Sequence, residues 1–201
     1  MSALVTVYRD GDADLSVLEG RTMAVIGYGN QGRAQALNMR DSGLKVVVGN
    51  VRDAYRDRAV EDGFEAHPIG EAARLGDFVF MLIPDEVQGE VYGGHVEAGL
   101  KAGKALVFAH GYNIRYGLIR PPRDVDVLLV APRMVGVGVR DLYLRGSGAP
   151  AFVGVHQDAS GEVTVVTLAP GAQQELRGGA ALILPRLQGR TYRAAWLQAA
   201  G

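Results

Sequence analysis

The sequence contains no cysteine, which excludes disulfide bonds, thiolate zinc sites and cysteine nucleophiles. It also lacks an excess of charge of either sign: 21 Lys and Arg face 22 Asp and Glu, for a formal net charge of −1. No overall field therefore attracts nucleic acid or an anionic membrane surface, and neither is expected as a partner.

Long apolar runs and targeting signals are missing as well. No stretch reaches the roughly 20 apolar residues that cross a bilayer. The first residues carry Arg9, Asp10, Asp12 and Asp14, unlike a signal peptide, so a cytoplasmic location is expected. The GxSxG, HExxH and P-loop signatures are absent, and hydrolase or phosphoryl-transfer chemistry finds no support.

Short β-branched runs alternate with Ala-rich and charge-rich segments, a pattern typical of βαβ units around a parallel sheet. The predicted strands are Thr22–Ile26, Lys45–Val48, Asp77–Ile83, Ala105–Ala109, Val125–Ala131 and Ala151–Val155. The predicted helices are Gln31–Ser42, Asp53–Asp62, Gly70–Leu75 and Glu86–Leu100, the last broken at Gly93-Gly94. Gly43 and Gly63 stand where left-handed helix C-caps are expected.

The pattern becomes less regular near Gly161. We therefore predict an α/β fold: a Rossmann-type, doubly wound, mainly parallel sheet over residues 1–160, with a short C-terminal appendage over residues 161–201. About 40 residues seldom form an independent core, so the appendage is not treated as a second domain. Within it, Arg186–Ala200 reads as a short amphipathic helix.

The strongest local motif is Gly27-Tyr28-Gly29-Asn30-Gln31-Gly32, which closes the first predicted strand and opens the first predicted helix. At this GxGxxG spacing Gly27 permits a tight turn, Gly29 lets the backbone approach a pyrophosphate, and Gly32 allows close packing. The helix N-terminus adds unpaired N–H groups and partial positive charge. These six residues are predicted to bind a dinucleotide; the alternative is a merely tight turn.

The end of the second predicted strand should decide which dinucleotide is bound, because NAD-preferring chains usually place an acid there. Here it holds Gly49-Asn50-Val51-Arg52, followed by Arg56 and Arg58. The missing acid and the arginines favour a 2′-phosphate and hence NADP (as NADPH), with Asn50 and Arg52 as cofactor ligands. Asp53 argues the other way, since it would repel that phosphate; alternatively it is only a first-turn acid of a solvated helix.

Seven segments between about Tyr8 and Gly161 match, in chain order, the segments of a known family. They are DLSVLEG (14–20), AVIGYGNQG (24–32), ALNMRDSG (36–43), LIPDE (82–86) with Tyr92, FAHGYNI (108–114), DV (126–127) leading to AP (131–132), and QDASG (157–161). Together they resemble the ketol-acid reductoisomerase family. The resemblance implies an NADPH-binding Rossmann-type domain, with Pro84 and Asp85 near the nicotinamide ribose. Asp85 is explained equally well as a helix cap.

In the family a helical domain follows, whose acidic residues bind two magnesium ions that drive an alkyl migration before hydride reduces the keto acid. This sequence departs from that pattern. Arg133-Met134-Val135-Gly136-Val137 stands where the family has lysine and Gly-Pro-Gly-His, and residues 187–193 no longer match. No Asp or Glu follows Glu175. Because magnesium needs oxygen ligands, we expect no metal site and no isomerase step.

His110 follows the predicted strand Ala105–Ala109, at the carboxyl edge where open α/β sheets bind ligands. It is the candidate proton donor to a carbonyl or imine, with Tyr112 as the second candidate. A hydrogen-bonded structural histidine is the alternative. Asn113 and Arg133 are candidate substrate residues, unless they form only a turn and a surface ion pair. The histidines read as structural or exposed are His67, His95 and His156.

Three hypotheses remain open, the last of them a degenerate fragment that binds nothing well. The first is a stand-alone NADP-dependent reductase of a small carbonyl or imine, without isomerase activity. The second is a catalytically silent NADP-binding sensor or regulator. A homodimer is expected, because the C-terminal residues are too apolar for a free tail; the alternative is a tail folded onto its own domain. These apolar residues are Leu182, Ile183, Leu184, Leu187, Tyr192, Trp196 and Leu197.

Overall fold

The computed structural model describes residues 15–161, 163–167 and 181–185. Its strands are β1 Thr22–Ile26, β2 Lys45–Gly49, β3 Glu65–His67, β4 Phe78–Met81, β5 Ala105–Phe108, β6 Asp126–Pro132, β7 Ala151–Gln157, β8 Val163–Thr167 and β9 Ala181–Pro185. Seven of them form one sheet in the order β3-β2-β1-β4-β5-β6-β7. All pairings from β3 to β6 are parallel, and β7 is antiparallel to β6. The predicted Rossmann-type, mainly parallel fold is confirmed.

The helices connect these strands on both faces of the sheet. They are α1 Asn30–Asp41, α2 Ala54–Glu61, α3 Ile69–Leu75, α4 Asp85–Val91, α5 Tyr112–Arg115 and α6 Gly136–Leu144, with a 3-10 turn at Leu15–Leu18. Gly43 and Gly63 follow α1 and α2 with φ of +87° at each, which confirms both predicted C-caps. None of the described helices is long and apolar enough to cross a membrane.

The core consists of two apolar layers, one on each face. One layer packs α1 and α2 against the sheet through residues such as Leu37, Phe64 and Phe80. The other packs α3 and the segment after α4 through residues such as Ile69, Val96 and Leu106. Because β1, β4 and β5 are buried along their whole length, their sequences are continuous apolar runs rather than alternating ones.

The segment after β4 differs from the single broken helix predicted for Glu86–Leu100. The α-helix ends at Val91, a π-helical turn spans Tyr92–Val96, and a 3-10 turn covers Glu97–Gly99. Gly93-Gly94 lie inside the π turn, where two residues without side chains weaken α-helical packing. The chain changes helical pitch here instead of breaking.

The C-terminal part contributes a second, two-stranded sheet. β8 and β9 pair antiparallel, with Thr164 opposite Leu184 and Val166 opposite Leu182. The backbone of β9 lies against β6 and β7 of the same chain. The predicted helix Arg186–Ala200 lies outside the described residues. The division of the chain at residue 160 stays a prediction.

Candidate functional site

Parallel pairing brings the carboxyl ends of four strands to one edge of the sheet. Ile26 is aligned with Gly49 and with Met81, and Met81 is aligned with Phe108. The residues that follow, Gly27, Leu82 and Ala109, therefore leave the sheet side by side. The strand order also reverses between β1 and β4, which is where open α/β sheets bind ligands.

The glycine loop between β1 and α1 has the geometry that the motif predicts. Gly27 has φ of +94°, a conformation that favours glycine. A Cβ on Gly32 would collide with the carbonyl oxygen of Gly27, so the start of α1 can approach the strand only without a side chain there. A Cβ on Gly29 would meet no atom within 4 Å, so space lies open beside the N-terminus of α1. An anion can therefore approach the first amides of this 12-residue helix.

Two side chains of the motif are used inside the protein. The Tyr28 hydroxyl donates to Asp62 Oδ2 at 2.8 Å, and burial together with this bond raises the pKa of Tyr28. Gln31 Nε2 donates to the carbonyl oxygen of Met134 at 2.8 Å. Asn30, by contrast, is exposed. The side chains of Tyr28 and Gln31 are therefore committed to contacts within the protein.

The loop after β2 is organised around Asn50, which is 7% exposed. Its Oδ1 accepts from the backbone N–H of Tyr28 at 3.2 Å, and its Nδ2 donates to Asp53 Oδ1 at 2.8 Å. Asp53 Oδ1 also accepts from the N–H groups of Tyr55 and Arg56, each at 3.0 Å. Asp53 is thus the N-cap of α2, and it does not lie in the first turn of the helix as the sequence suggested.

The three arginines of this region lie in different surroundings. Arg56 Nη2 donates to the carbonyl oxygen of Ala66 at 2.8 Å, which commits its guanidinium to β3. Arg52 is exposed at the edge itself. Arg58 lines a surface groove of about 340 Å³ that it shares with Tyr28, Gly29 and Asn30 of the glycine loop. Arg52 and Arg58 are thus both exposed, whereas Arg56 is held by β3.

His110 and Asp85 are joined across the gap between β4 and β5. His110 Nδ1 donates to Asp85 Oδ2 at 2.5 Å, since a carboxylate can only accept. The His110 side chain is 67% exposed and that of Asp85 is 27% exposed. The carboxylate fixes the imidazole by one nitrogen and leaves Nε2 facing outward. Pro84 is the N-cap of α4, which places Asp85 in the first turn.

Asn113 is buried beneath this pair, with 1% exposure. Its Nδ2 donates to the carbonyl oxygen of Asp85 at 3.0 Å and to Gln88 Oε1 at 3.1 Å. Gln88 Nε2 in turn donates to the carbonyl oxygen of Ile83 at 2.9 Å. The amide of Asn113 thus ties the loop carrying His110 to the loop carrying Asp85 and does not open to a substrate.

The surface beside His110 is aromatic. The rings of His110 and Tyr112 are nearly parallel, 6.4 Å apart at an angle of 10°. Tyr112 contacts Tyr116, with centroids 4.8 Å apart, and Leu118 is exposed nearby in the chain. The Tyr112 hydroxyl therefore lies at the end of a ring stacked on the imidazole, and both groups reach solvent.

The segment after β6 lies over the start of α1. A Cβ on Gly136 would collide with the carbonyl oxygen of Asn30, so α6 begins in close contact with the glycine loop. Arg133 stacks its guanidinium on the ring of Phe152, 5.0 Å from the centroid. The positive charge of Arg133 is thereby held against β7.

Of the other histidines, His67 ends β3 at this edge, but its imidazole faces carboxylates of its own surroundings. His67 lies between Glu65 and Glu71, at 3.5 Å and 3.3 Å, while His95 and His156 are exposed. Within residues 15–161 and the two hairpin strands, no group of three or more His, Asp or Glu side chains is arranged to hold a metal ion.

Sequence reasoning missed Gln88, Asp62 and Tyr116. Gln88 and Asp62 act through hydrogen bonds to residues 25 and 34 positions away, and no local pattern marks such pairs. Tyr116 could have been found, because it follows Tyr112 by one helical turn.

Comparison with known families agrees with this geometry. Residues 17–175 match the model of the acetohydroxy acid isomeroreductase NADPH-binding domain. A ketol-acid reductoisomerase (NADP(+)) of Methanopyrus kandleri is 55% identical over 168 residues, which are 83% of this chain and 51% of that protein. One of Caldivirga maquilingensis is 53% identical over 159 residues, 79% of this chain and 48% of that protein. The chain spans about half the length of these curated relatives.

Among solved structures, an NADH-preferring ketol-acid reductoisomerase from an uncultured archean superimposes with a TM-score of 0.75 and 48% identity. The match covers 76% of this chain and 48% of that one. The 3-hydroxyisobutyrate dehydrogenase of Mycobacterium tuberculosis superimposes with a TM-score of 0.54 at 16% identity, a likeness of fold alone.

Proposed function

The chain belongs to the acetohydroxy acid isomeroreductase family, and we propose that it is an NADPH-dependent reductase of a small carbonyl or imine substrate. The observation that carries the proposal is the His110–Asp85 pair, which lies at the same sheet edge as the glycine loop. One loop can hold a dinucleotide, and the other offers an oriented proton donor where the strand order reverses.

The residues of the glycine loop fit a dinucleotide. The open space at Gly29 and the first amides of α1 suit a pyrophosphate, and Arg52 suits a 2′-phosphate. Pro84 and Asp85 begin α4 at the same edge, which suits contact with the nicotinamide ribose. When bound, NADPH supplies a hydride from its nicotinamide ring.

The protein's own part in the reaction is proton transfer. As hydride reaches the carbonyl carbon, the electron pair of the C=O bond moves to oxygen, which takes a proton. Imidazolium His110 gives that proton from Nε2, while its Nδ1–H stays on Asp85 Oδ2. Tyr112 is the second donor candidate. An imine that is already protonated accepts hydride without this help.

A substrate screen tests the activity directly. NADPH absorbance is followed with ketones, 2-keto acids and cyclic imines, and at least one class should be reduced. NADPH binding without turnover on any class would favour the second function. A chain that binds neither cofactor would overturn both.

The second candidate, a silent NADP-binding sensor, is favoured by Arg133. Its guanidinium stacks on Phe152, and an arginine cannot donate a proton near neutral pH. The two functions separate at His110: a reductase loses turnover when this residue is replaced, whereas a sensor has none to lose.

We also propose that the chain is a homodimer in which the residues after β9 cover the open edge of the other copy, since β9 itself lies against β6 and β7 of its own chain. The exposed side chains Tyr112, Tyr116 and Leu118 flank that edge and form an apolar surface. Light scattering at micromolar concentration should give twice the chain mass, and a chain cut at Gly178 should be monomeric. A monomeric full chain, or a cut chain that stays dimeric, would contradict this arrangement.

A further inference from the structure

We infer that Asn50 is a positioning residue, which sets the spacing between the glycine loop and the ribose loop (residues 50–53) by bonding to both. The inference rests on the proposed cofactor binding, but it gives Asn50 a role different from that of a cofactor ligand. The Asn50 side chain is only 7% exposed, although its neighbours Val51 and Arg52 are open to solvent.

The polar atoms of the Asn50 side chain are all used within the protein. Oδ1 accepts from Tyr28 N–H at 3.2 Å, and Nδ2 donates to Asp53 Oδ1 at 2.8 Å and to the carbonyl oxygen of Val51 at 3.2 Å. A cofactor therefore meets Asn50 only by displacing these bonds. Breaking them would leave a buried N–H of the glycine loop without its acceptor.

The backbone on either side closes the same connection. Gly27 N–H donates to the carbonyl oxygen of Gly49 at 2.9 Å, and Asn50 N–H donates to that of His67 at 3.2 Å. The ends of β1, β2 and β3 are thus linked through one point. Because a dinucleotide would contact both loops, a shift of one loop against the other misplaces its phosphates relative to its ribose.

The amide is suited to this task in a way that a carboxylate is not. Asn50 presents an acceptor to one partner and a donor to the other, and Asp53 must stay ionised to cap α2. An aspartate at position 50 would keep the acceptor for Tyr28 and place a second negative oxygen against Asp53. The two halves of the connection can therefore be broken separately.

The experiment compares Asn50→Ala and Asn50→Asp with Asn38→Ala. Asn38 is a matched control: it is 4% exposed and accepts from Arg140 Nη1 at 2.9 Å, on the part of α1 that packs against α6. Each variant is titrated with NADPH, with adenosine 2′,5′-bisphosphate and with reduced nicotinamide mononucleotide, and its melting temperature is measured.

Asn50→Ala should weaken NADPH and the bisphosphate by about 10- to 100-fold, as expected for an uncompensated buried hydrogen bond. The mononucleotide should bind as it does to the parent chain. In steady state, KM for NADPH should rise while kcat is kept, because hydride is transferred at the other end of the cofactor. Asn38→Ala should lower the melting temperature and leave all three affinities unchanged.

Hydrogen exchange of the ligand-free protein gives a readout that does not depend on cofactor binding. Asn50→Ala should speed exchange at the amides of Tyr28, Tyr55 and Arg56, and Asn50→Asp at Tyr55 and Arg56 only.

Equal losses of melting temperature in Asn50→Ala and Asn38→Ala, with NADPH affinity unchanged in both, would overturn the inference and make Asn50 a stability residue. Unchanged exchange at the Tyr28 amide in Asn50→Ala would also count against it. If the parent chain binds no NADPH, the proposed function fails, and the exchange data still report whether Asn50 links the two loops.

Discussion

The two halves of the sheet edge differ in how their side chains are satisfied. At the β1 and β2 ends, Asn50 and Asp53 are bonded to neighbouring loops before any ligand arrives. At the β4 and β5 ends, His110 and Tyr116 are each 67% exposed and Tyr112 reaches solvent. The half that we propose to bind the cofactor (the cofactor half) is therefore preorganised, whereas the half that we propose to hold the reaction (the reaction half) is open to solvent.

The largest effect on activity should come from a change at the β4 and β5 ends, where His110 lies. We expect His110→Ala to lower turnover of a carbonyl substrate by roughly 10²-fold or more, the usual range for general acid catalysis. For a protonated imine the loss should be smaller, because little proton transfer remains. NADPH affinity should be unchanged in both cases. Stopped-flow hydride transfer checks this, with the exposed His95→Ala as control; unchanged turnover of a ketone would remove His110 from the mechanism.

The next effect concerns the cofactor half. Arg52→Ala should cost NADPH binding about 1–3 kcal/mol, as expected for a charge-assisted phosphate contact, and leave NADH nearly unchanged. Arg56→Ala is the matched control: its guanidinium donates to Ala66, so it should alter stability and keep the ratio of the two affinities. Fluorescence titration measures both. Equal curves for NADPH and NADH in the parent chain would show that Arg52 reads no 2′-phosphate.

A smaller effect, on stability, should come from Asp62, which is hydrogen-bonded to the glycine-loop residue Tyr28. Asp62 accepts from Tyr28 and from Arg33 Nε at 2.7 Å, and the Arg33 hydrogen bond lowers the pKa of Asp62. We expect Asp62→Asn to reduce the free energy of unfolding by about 1–2 kcal/mol at pH 7.

This contribution depends on pH in a defined direction. Because the pKa of Asp62 is lower in the folded state, its stabilisation is complete above the unfolded value of about 3.9 and is lost as pH falls through the folded value. Urea unfolding at pH 7 and pH 3 should therefore show the gap between parent and Asp62→Asn shrinking in acid. The exposed Glu61→Gln should show little difference at either pH, and a gap that widens in acid would contradict the argument.

The comparison between the halves also explains how much the sequence could predict. Strands buried on both faces, such as β1, are apolar runs, and Thr22–Ile26 was predicted with its observed bounds. β3 was not, because Glu65-Ala66-His67 is a polar edge strand that is recognisable only from its pairing with β2.

α6 could not be read from its own residues either. Gly136 and Gly138 alternate with valines, a pattern with poor helix propensity. The helix is held by tertiary contacts: Arg140 Nη1 donates to Asn38, and Tyr143 shares a hydrogen bond with Ser42 at 2.8 Å.

For the site, as for the fold, the sequence predicted the local features and missed the long-range contacts. The glycine loop and His110 follow from motif and position, since both depend on residues adjacent in the chain. The pairing of His110 with Asp85 and the bond from Asn50 to Tyr28 join residues 25 and 22 positions apart. Such contacts depend on strand register, which the sequence does not state, so Asn113 and Arg133 could not be assigned to the interior or to Phe152.

The last prediction is that removing divalent metal has no effect on the chemistry at the β4 and β5 ends. Any reduction by these 201 residues should be unchanged by EDTA, and no isomerisation of acetohydroxy acids should occur. Alkyl migration needs cations that polarise adjacent substrate oxygens, a role that side chains rarely replace. No Asp or Glu follows Glu175, and Asp85 is bonded to His110. Hydride transfer has fewer requirements, namely a nicotinamide face, a substrate within reach and a proton from Nε2 of His110.

A full-length ketol-acid reductoisomerase, assayed alongside, should lose isomerisation in EDTA. If EDTA also abolishes reduction by this chain and Mg²⁺ restores it, these residues do form a metal site, and the contrast between a complete cofactor half and an incomplete reaction half would have to be redrawn.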